Sequence, residues 1–219
     1  MVSAYLDKTQ TSLEHTLVQS QLDALDEYLA SHYAQTVWSY KIPELGEGGS
    51  CSLFGHLQEV PFELETIIER TQENDVLLSK LQTIVEFVTK KTGVEWFGIY
   101  QSRQVDGEKQ LLKLAYNGAP SRPLFPINEQ FAATSNNIQT VLSEKSRIIN
   151  NIPEYIAQGG EYYTCDPKVQ AEVCIPLLND KLDCIGIIDA EAFSKEFFTA
   201  DNLSVLVAAC MKITHYLPE

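Results

Sequence analysis

Two apolar runs, Ala171 to Leu177 and Cys184 to Ala190, flank the turn-forming triplet Asn179-Asp180-Lys181. Runs of this length on either side of a polar turn read as the two strands of an antiparallel hairpin. Side chains on a strand alternate between its faces, so Glu172 and Cys174 share one face of the first strand. Asp189 and Glu191 share one face of the second by the same rule. A fold built on this hairpin must accommodate three carboxylates and a thiol together. Just upstream, Tyr163 to Pro176 reads YTCDPKVQAEVCIP and sets a further thiol, Cys165, seven residues before Glu172. Cys165 stands between Thr164 and Asp166 in a polar loop, whereas Cys184 and Cys210 sit in apolar runs and read as small packing residues.

The remaining pattern places helices at both ends of a set of strands. Thr11 to Glu14 has the T-x-x-E form of a capping box, and Leu13, Leu17, Leu22, Leu25 and Leu29 continue a helix toward Ala34. Ile42 to Ser52, with Pro43 and several glycines, reads as a linker. From Phe62 the pattern is again helical, with a stripe of Leu77, Leu78, Leu81, Ile84, Val85 and Val88 that Gly93 can terminate as a left-handed cap. Glu95 to Gln101, Gln110 to Tyr116 and Ser146 to Asn151 are further strand candidates. A closing helix follows Thr199, with Leu203, Leu206, Val207, Cys210, Ile213 and Leu217 on one face. Helices flanking antiparallel strands give an α+β domain. Trp96 and Tyr100, at i and i+4 of a strand, share a face and can box a methyl-sulfur or ammonium group; Phe97 and Ile99 face the other way.

Charge narrows the partners. The formal net charge of −14 over 219 residues argues against nucleic acid and against an anionic membrane, both of which need clustered Lys and Arg. A small cationic or zwitterionic ligand suits the balance better. There is no apolar run of membrane-spanning length and no signal-peptide pattern at the N-terminus, so the expected location is cytoplasmic. The five cysteines make no CxxC and no zinc spacing, and the four histidines are scattered, so neither a metal site nor a cofactor is expected.

From about Glu63 to Tyr216 the chain resembles a GAF domain, and within that superfamily the free methionine-(R)-sulfoxide reductases. VEWFGIY, carrying Trp96 and Tyr100, resembles the family's W-x-G-F-Y strand. TCDPKVQAEVCIPL resembles its A-C-D…S-E-I-V-x-P segment, with Cys165 at the thiol position and Glu172 at the substrate carboxylate. IGIIDAE resembles G-V-L-D-I-D, with Asp189 and Glu191 on the two acids. With the linker as boundary, residues 1–55 are a helical extension and linker and 56–219 the GAF domain, and the leucine stripe of the first helix makes a homodimer a candidate assembly. The family resemblance implies Cys165 as the catalytic thiol, with Trp96, Tyr100, Glu172, Asp189 and Glu191 binding free methionine sulfoxide and an external thiol as reductant. Two cysteine positions of the family are occupied here by Ala132, in QFAATS, and by Arg122, and an insertion spans Pro153 to Tyr162. Cys174 is then the candidate resolving thiol, since it shares the face of Glu172. The other reading is a noncatalytic sensing or dimerisation module.

Overall fold

The computed structural model describes residues 1–45, 52–133, 135–162 and 166–218. Its centre is a six-stranded antiparallel sheet. In chain order the strands are β5 (Trp96–Val105), β6 (Glu108–Asn117), β7 (Leu124–Pro126), β8 (Arg147–Ile149), β9 (Ala171–Leu178) and β10 (Cys184–Ala192), arranged β7-β6-β5-β10-β9-β8. Asn179 makes the β9–β10 turn: its Oδ1 accepts from the backbone N–H of Lys181 and of Asp183, the local closure that favours Asn at such a position.

One face of the sheet is covered by helices. Leu112, Phe97, Ile99, Ile188, Ala190, Val173 and Ile175 point to that side. They pack against α3 (Gln72–Thr92) and α7 (Ala200–Ile213), which present the apolar stripes that the sequence spacing predicts. Thr71 caps α3 by accepting from the Asn74 N–H, and Gly93, at φ 75°, ends it. Residues of α1 (Val2–Thr9) and α2 (His15–Ser31) belong to the same core, through Tyr5, Leu6, Val18, Leu25 and Leu29. The Tyr5 hydroxyl donates to the Pro176 carbonyl at 2.6 Å, and an ion pair joins Asp26 on α2 to Lys212 on α7.

The N-terminal third departs from the sequence reading in four places. α1 was not expected. Glu14, not Thr11, precedes the first turn of α2 and makes no side-chain cap, while the Thr11 hydroxyl bonds instead to Thr9 and Ser146 at 2.9 and 2.8 Å. The helix expected from Phe62 begins only at Gln72; Phe62–Glu63 is a strand, β4, paired with β1 (Ser39–Tyr40), and a turn of 3₁₀ helix follows at Leu64–Thr66. The supposed linker contains β2 (Pro43–Leu45) and β3 (Ser52–Leu57), paired with each other, and its residues 46–51 lie outside the described residues. In the last two cases short polar or Pro-containing strands carry no period long enough to read.

Candidate functional site

The other face of the sheet carries the chemistry. Cross-strand pairing sets Glu191 opposite Glu172, Asp189 opposite both Cys174 and Gly98, Ile187 opposite Tyr100, and Glu191 opposite Trp96. Directly paired residues point the same way, so Trp96, Tyr100, Glu172, Cys174, Asp189 and Glu191 stand on one surface. The structure thus brings together all the sequence-derived site residues except Cys165, which lies outside the described residues with Tyr163 and Thr164.

This surface is roofed by a short helix that sequence reasoning missed, α5 (Asn136–Ser143), capped by Ser135. Its first two residues are the buried amides Asn136 and Asn137. Asn136 Nδ2 donates to Glu172 Oε2 at 3.0 Å, and Asn137 Nδ2 donates to Asp189 Oδ2 at 3.2 Å. Arg147 on β8 donates from Nε to Asn136 Oδ1 at 3.0 Å and from its terminal nitrogen to the Tyr155 hydroxyl at 3.2 Å. Tyr155 belongs to α6 (Ile152–Ala157), inside the apparent insertion, and Tyr162 at the end of that insertion hydrogen-bonds Glu172. An Asn-Asn pair directly after a Ser cap was the available signal; the insertion gave none.

Cys174 is fully buried at the centre of this network. Its Sγ lies 3.0 Å from Asn137 Oδ1, 3.3 Å from Glu172 Oε1 and 3.7 Å from Asp189 Oδ1. Burial, then the charges of Asp189 and Glu172, push its thiol well above the ordinary range, so Cys174 is held as a neutral thiol and a poor nucleophile. The carboxyls are displaced in the same direction. Burial raises Glu172, with the hydrogen bonds from Tyr162, Asn136 and Cys174 opposing it. Burial and then the Glu172 charge raise Asp189 well above the usual carboxylate range, and burial with both neighbours does the same to Glu191. Glu172 and Asp189 are buried and Glu191 half-buried, so the three disfavour one another's ionised forms, and a cation seated among them would favour those forms. Ligand atoms of Glu172, Cys174 and Asp189 also lie within 4.8 Å of one another, a donor set compatible with a divalent ion.

Beside the acids stands an aromatic wall. The Trp96 indole lies over Gly98, where a Cβ would meet its ring at 2.3 Å, and its Nε1 donates to the Ala119 carbonyl at 3.0 Å. Tyr100 and Tyr116 flank that indole, with ring centroids at 6.4 and 6.2 Å. Behind Tyr100 are Phe125, Ile138 and Ile187. Arg122, at a position where the resembled family has a cysteine, is buried; its Nε donates to the Leu124 carbonyl at 2.7 Å and its guanidinium lies over Phe125 and Phe131.

The GAF domain family matches residues 77–215. No curated protein matches the chain. Among solved structures, the type II free methionine-R-sulfoxide reductase of Thermoplasma acidophilum aligns at 17% identity and TM-score 0.56, over 66% of this chain and 94% of its own. The free methionine-R-sulfoxide reductase of Neisseria meningitidis, solved in complex with its substrate, aligns at 14% identity and TM-score 0.56, over 94% and 93%. The GAF domain of an Acinetobacter phosphoenolpyruvate-protein phosphotransferase aligns at 12% identity and TM-score 0.55, over 91% of each. At such identities the likeness is one of fold, shared by a reductase and a domain of another enzyme alike. No helix among the described residues is long and apolar enough to cross a membrane. With its family match over more than half its length and its six-stranded helix-backed sheet, the chain belongs to the GAF domain family.

Proposed function

We infer that this GAF domain binds a free amino acid of the methionine sulfoxide class on the acid-lined face of its sheet and reduces it through Cys165. The observation that carries the reading is the convergence of Glu172, Asp189 and Glu191 on one desolvated surface beside the Trp96–Tyr100 wall. An ammonium seated among the acids relieves their mutual repulsion and restores their ionised forms by charge-assisted hydrogen bonds. The aromatic faces suit a methyl-sulfur group.

In the reaction, the Cys165 thiolate attacks the sulfoxide sulfur, the oxygen takes up one proton from solvent and passes to Cys165 as a sulfenic acid, and methionine leaves as the thioether. A second thiol then condenses with the sulfenic acid, releasing water and forming a disulfide, which an external dithiol reduces. Ala132 and Arg122 offer no thiol, and Cys174 is buried and protonated, so the external reductant takes the resolving step directly. A specific observation favours a second reading, sensing without turnover: the one described thiol of the site, Cys174, has its proton held by Asn137 and the acids.

Incubation with L-methionine-(R)-sulfoxide and dithiothreitol, beside a Cys165→Ser control, separates the two. Methionine formed by the wild type alone is the expected result. Binding of the sulfoxide with no methionine above the control leaves the sensor, and no binding at all removes the amino-acid ligand.

A further inference from the structure

On the same face as the acids and the aromatic wall lies a buried lysine that the reading above does not use. Lys113 on β6 is fully buried. Its Nζ donates to Ser121 O at 2.8 Å and to Ser121 Oγ at 2.6 Å, and it lies 4.0 Å from the Tyr116 ring centroid and 4.8 Å from that of Tyr40. No carboxylate among the described residues comes within ion-pair distance of it. Two of its three protons are thus accepted by Ser121, and aromatic faces border it where no carboxylate among the described residues pairs with it.

A break in the ladder puts it there. Ile99 pairs with Ala115 and Tyr100 with Lys113, so Leu114 is an extra residue on β6. In an unbroken strand Lys113 and Tyr116, three apart, would face opposite ways; the bulge turns both toward the site while Leu112, Leu114 and Ala115 remain in the helix-side core. An isolated buried ammonium is expensive, and an apolar side chain would be cheaper in this place. Burial pushes Lys113 toward its neutral form, with the Asp189 charge across the site acting against it.

We propose that Lys113 is a specificity-determining residue of this site, donating a hydrogen bond to a polarised oxygen carried by the ligand at the end opposite its ammonium, which for an amino acid of the class inferred above is the sulfoxide oxygen. The inference rests on that amino-acid reading. Once an ammonium is seated, the ionised acids can only accept hydrogen bonds, and the amides of Asn136 and Asn137 are committed to them. The Trp96 N–H is committed to Ala119. Lys113, reaching in from β6 with one proton that Ser121 does not accept, is a donor suited to the far end of the ligand. β6 and β10 are two strand spacings apart, about 10 Å between backbones. Side chains stand roughly perpendicular to a sheet, so a ligand held at both ends would lie along its face between Asp189 and Lys113.

Calorimetry with L-methionine-(R)-sulfoxide and with L-methionine tests it, on the wild type and on Lys113→Met, each variant also being melted. The wild type is expected to prefer the sulfoxide by about tenfold or more, as a site built to pair with a ligand oxygen rejects the analogue lacking it. Lys113→Met is expected to bind the two alike, to keep its methionine affinity within about twofold, and to melt no lower than the wild type. Equal binding of both ligands by the wild type overturns the proposal and leaves the amino-acid reading intact. Retained preference in Lys113→Met does the same. A variant that melts well below the wild type and loses both ligands overturns it by showing Lys113 to be structural. A wild type that binds neither ligand removes the amino-acid reading, and this inference with it.

Discussion

The two faces of one sheet obey opposite rules. On the helix side, Phe97, Ile99, Val173, Ile175, Ile188 and Ala190 meet α3 and α7 in a core without charge. On the other side, strands β5, β9 and β10 carry carboxyls, a thiol and aromatic rings at the alternate positions. Both surfaces are largely buried, so exposure does not distinguish them. Energetics does: burial of apolar area stabilises the fold, whereas burial of repelling acids and an uncompensated lysine subtracts from it. The first face sustains the structure that holds the second in its unfavourable arrangement.

Substitutions can break or sharpen that contrast. The largest effect belongs to the helix side: Phe97→Ala should cost about 3–5 kcal/mol of stability through the transfer and cavity terms, read as a fall in the urea midpoint. On the site face, Glu172→Gln should leave the fold in place and weaken binding of methionine sulfoxide by about 1–3 kcal/mol in calorimetry; unchanged affinity would detach Glu172 from the ligand. Asp189→Asn should move stability the other way, gaining about 1 kcal/mol at pH 8 while losing ligand.

The sign follows from its raised folded-state carboxyl. Stability owed to that group is fully present below the ordinary value for Asp and is lost as pH rises through the raised value. The variant's advantage should therefore vanish near pH 4 and grow with pH, and a constant gain across that window would assign it to some other cause. The smallest effect is local: Thr71→Ala should cost about 1 kcal/mol by removing the α3 cap, with ligand affinity unaltered.

How much of this could be read from the chain follows from the same contrast. Alternation in β9 and β10 is strong because one face is continuously apolar, and it set Glu172 with Cys174 and Asp189 with Glu191, while the family resemblance set them in one site with Trp96 and Tyr100. Gly93 and Thr199 marked helix ends by local chemistry that needs no partner. Asn136, Asn137, Arg147 and Tyr162 escaped because their roles exist only once β8, α5 and the insertion fold over the sheet; polar residues in short elements have no periodicity to betray burial. Lys113 escaped for a different reason: strand alternation gives Tyr116 the opposite face, and only the extra Leu114 undoes that. The helix read through Leu13 to Leu29 is present as α2, but its cap was misassigned because Thr11 matches a capping pattern yet spends its hydroxyl on Thr9 and Ser146.

Tyr40 lies outside the stretch 77–215 that the family accounts for, yet its ring faces the Lys113 ammonium and its hydroxyl donates to the Lys113 carbonyl at 2.9 Å. A protein trimmed to the family's borders would keep every acid and lose one wall of the lysine's enclosure. Water admitted there would solvate the ammonium, and on the amino-acid reading such a fragment would separate sulfoxide from thioether less sharply than a chain that keeps Tyr40.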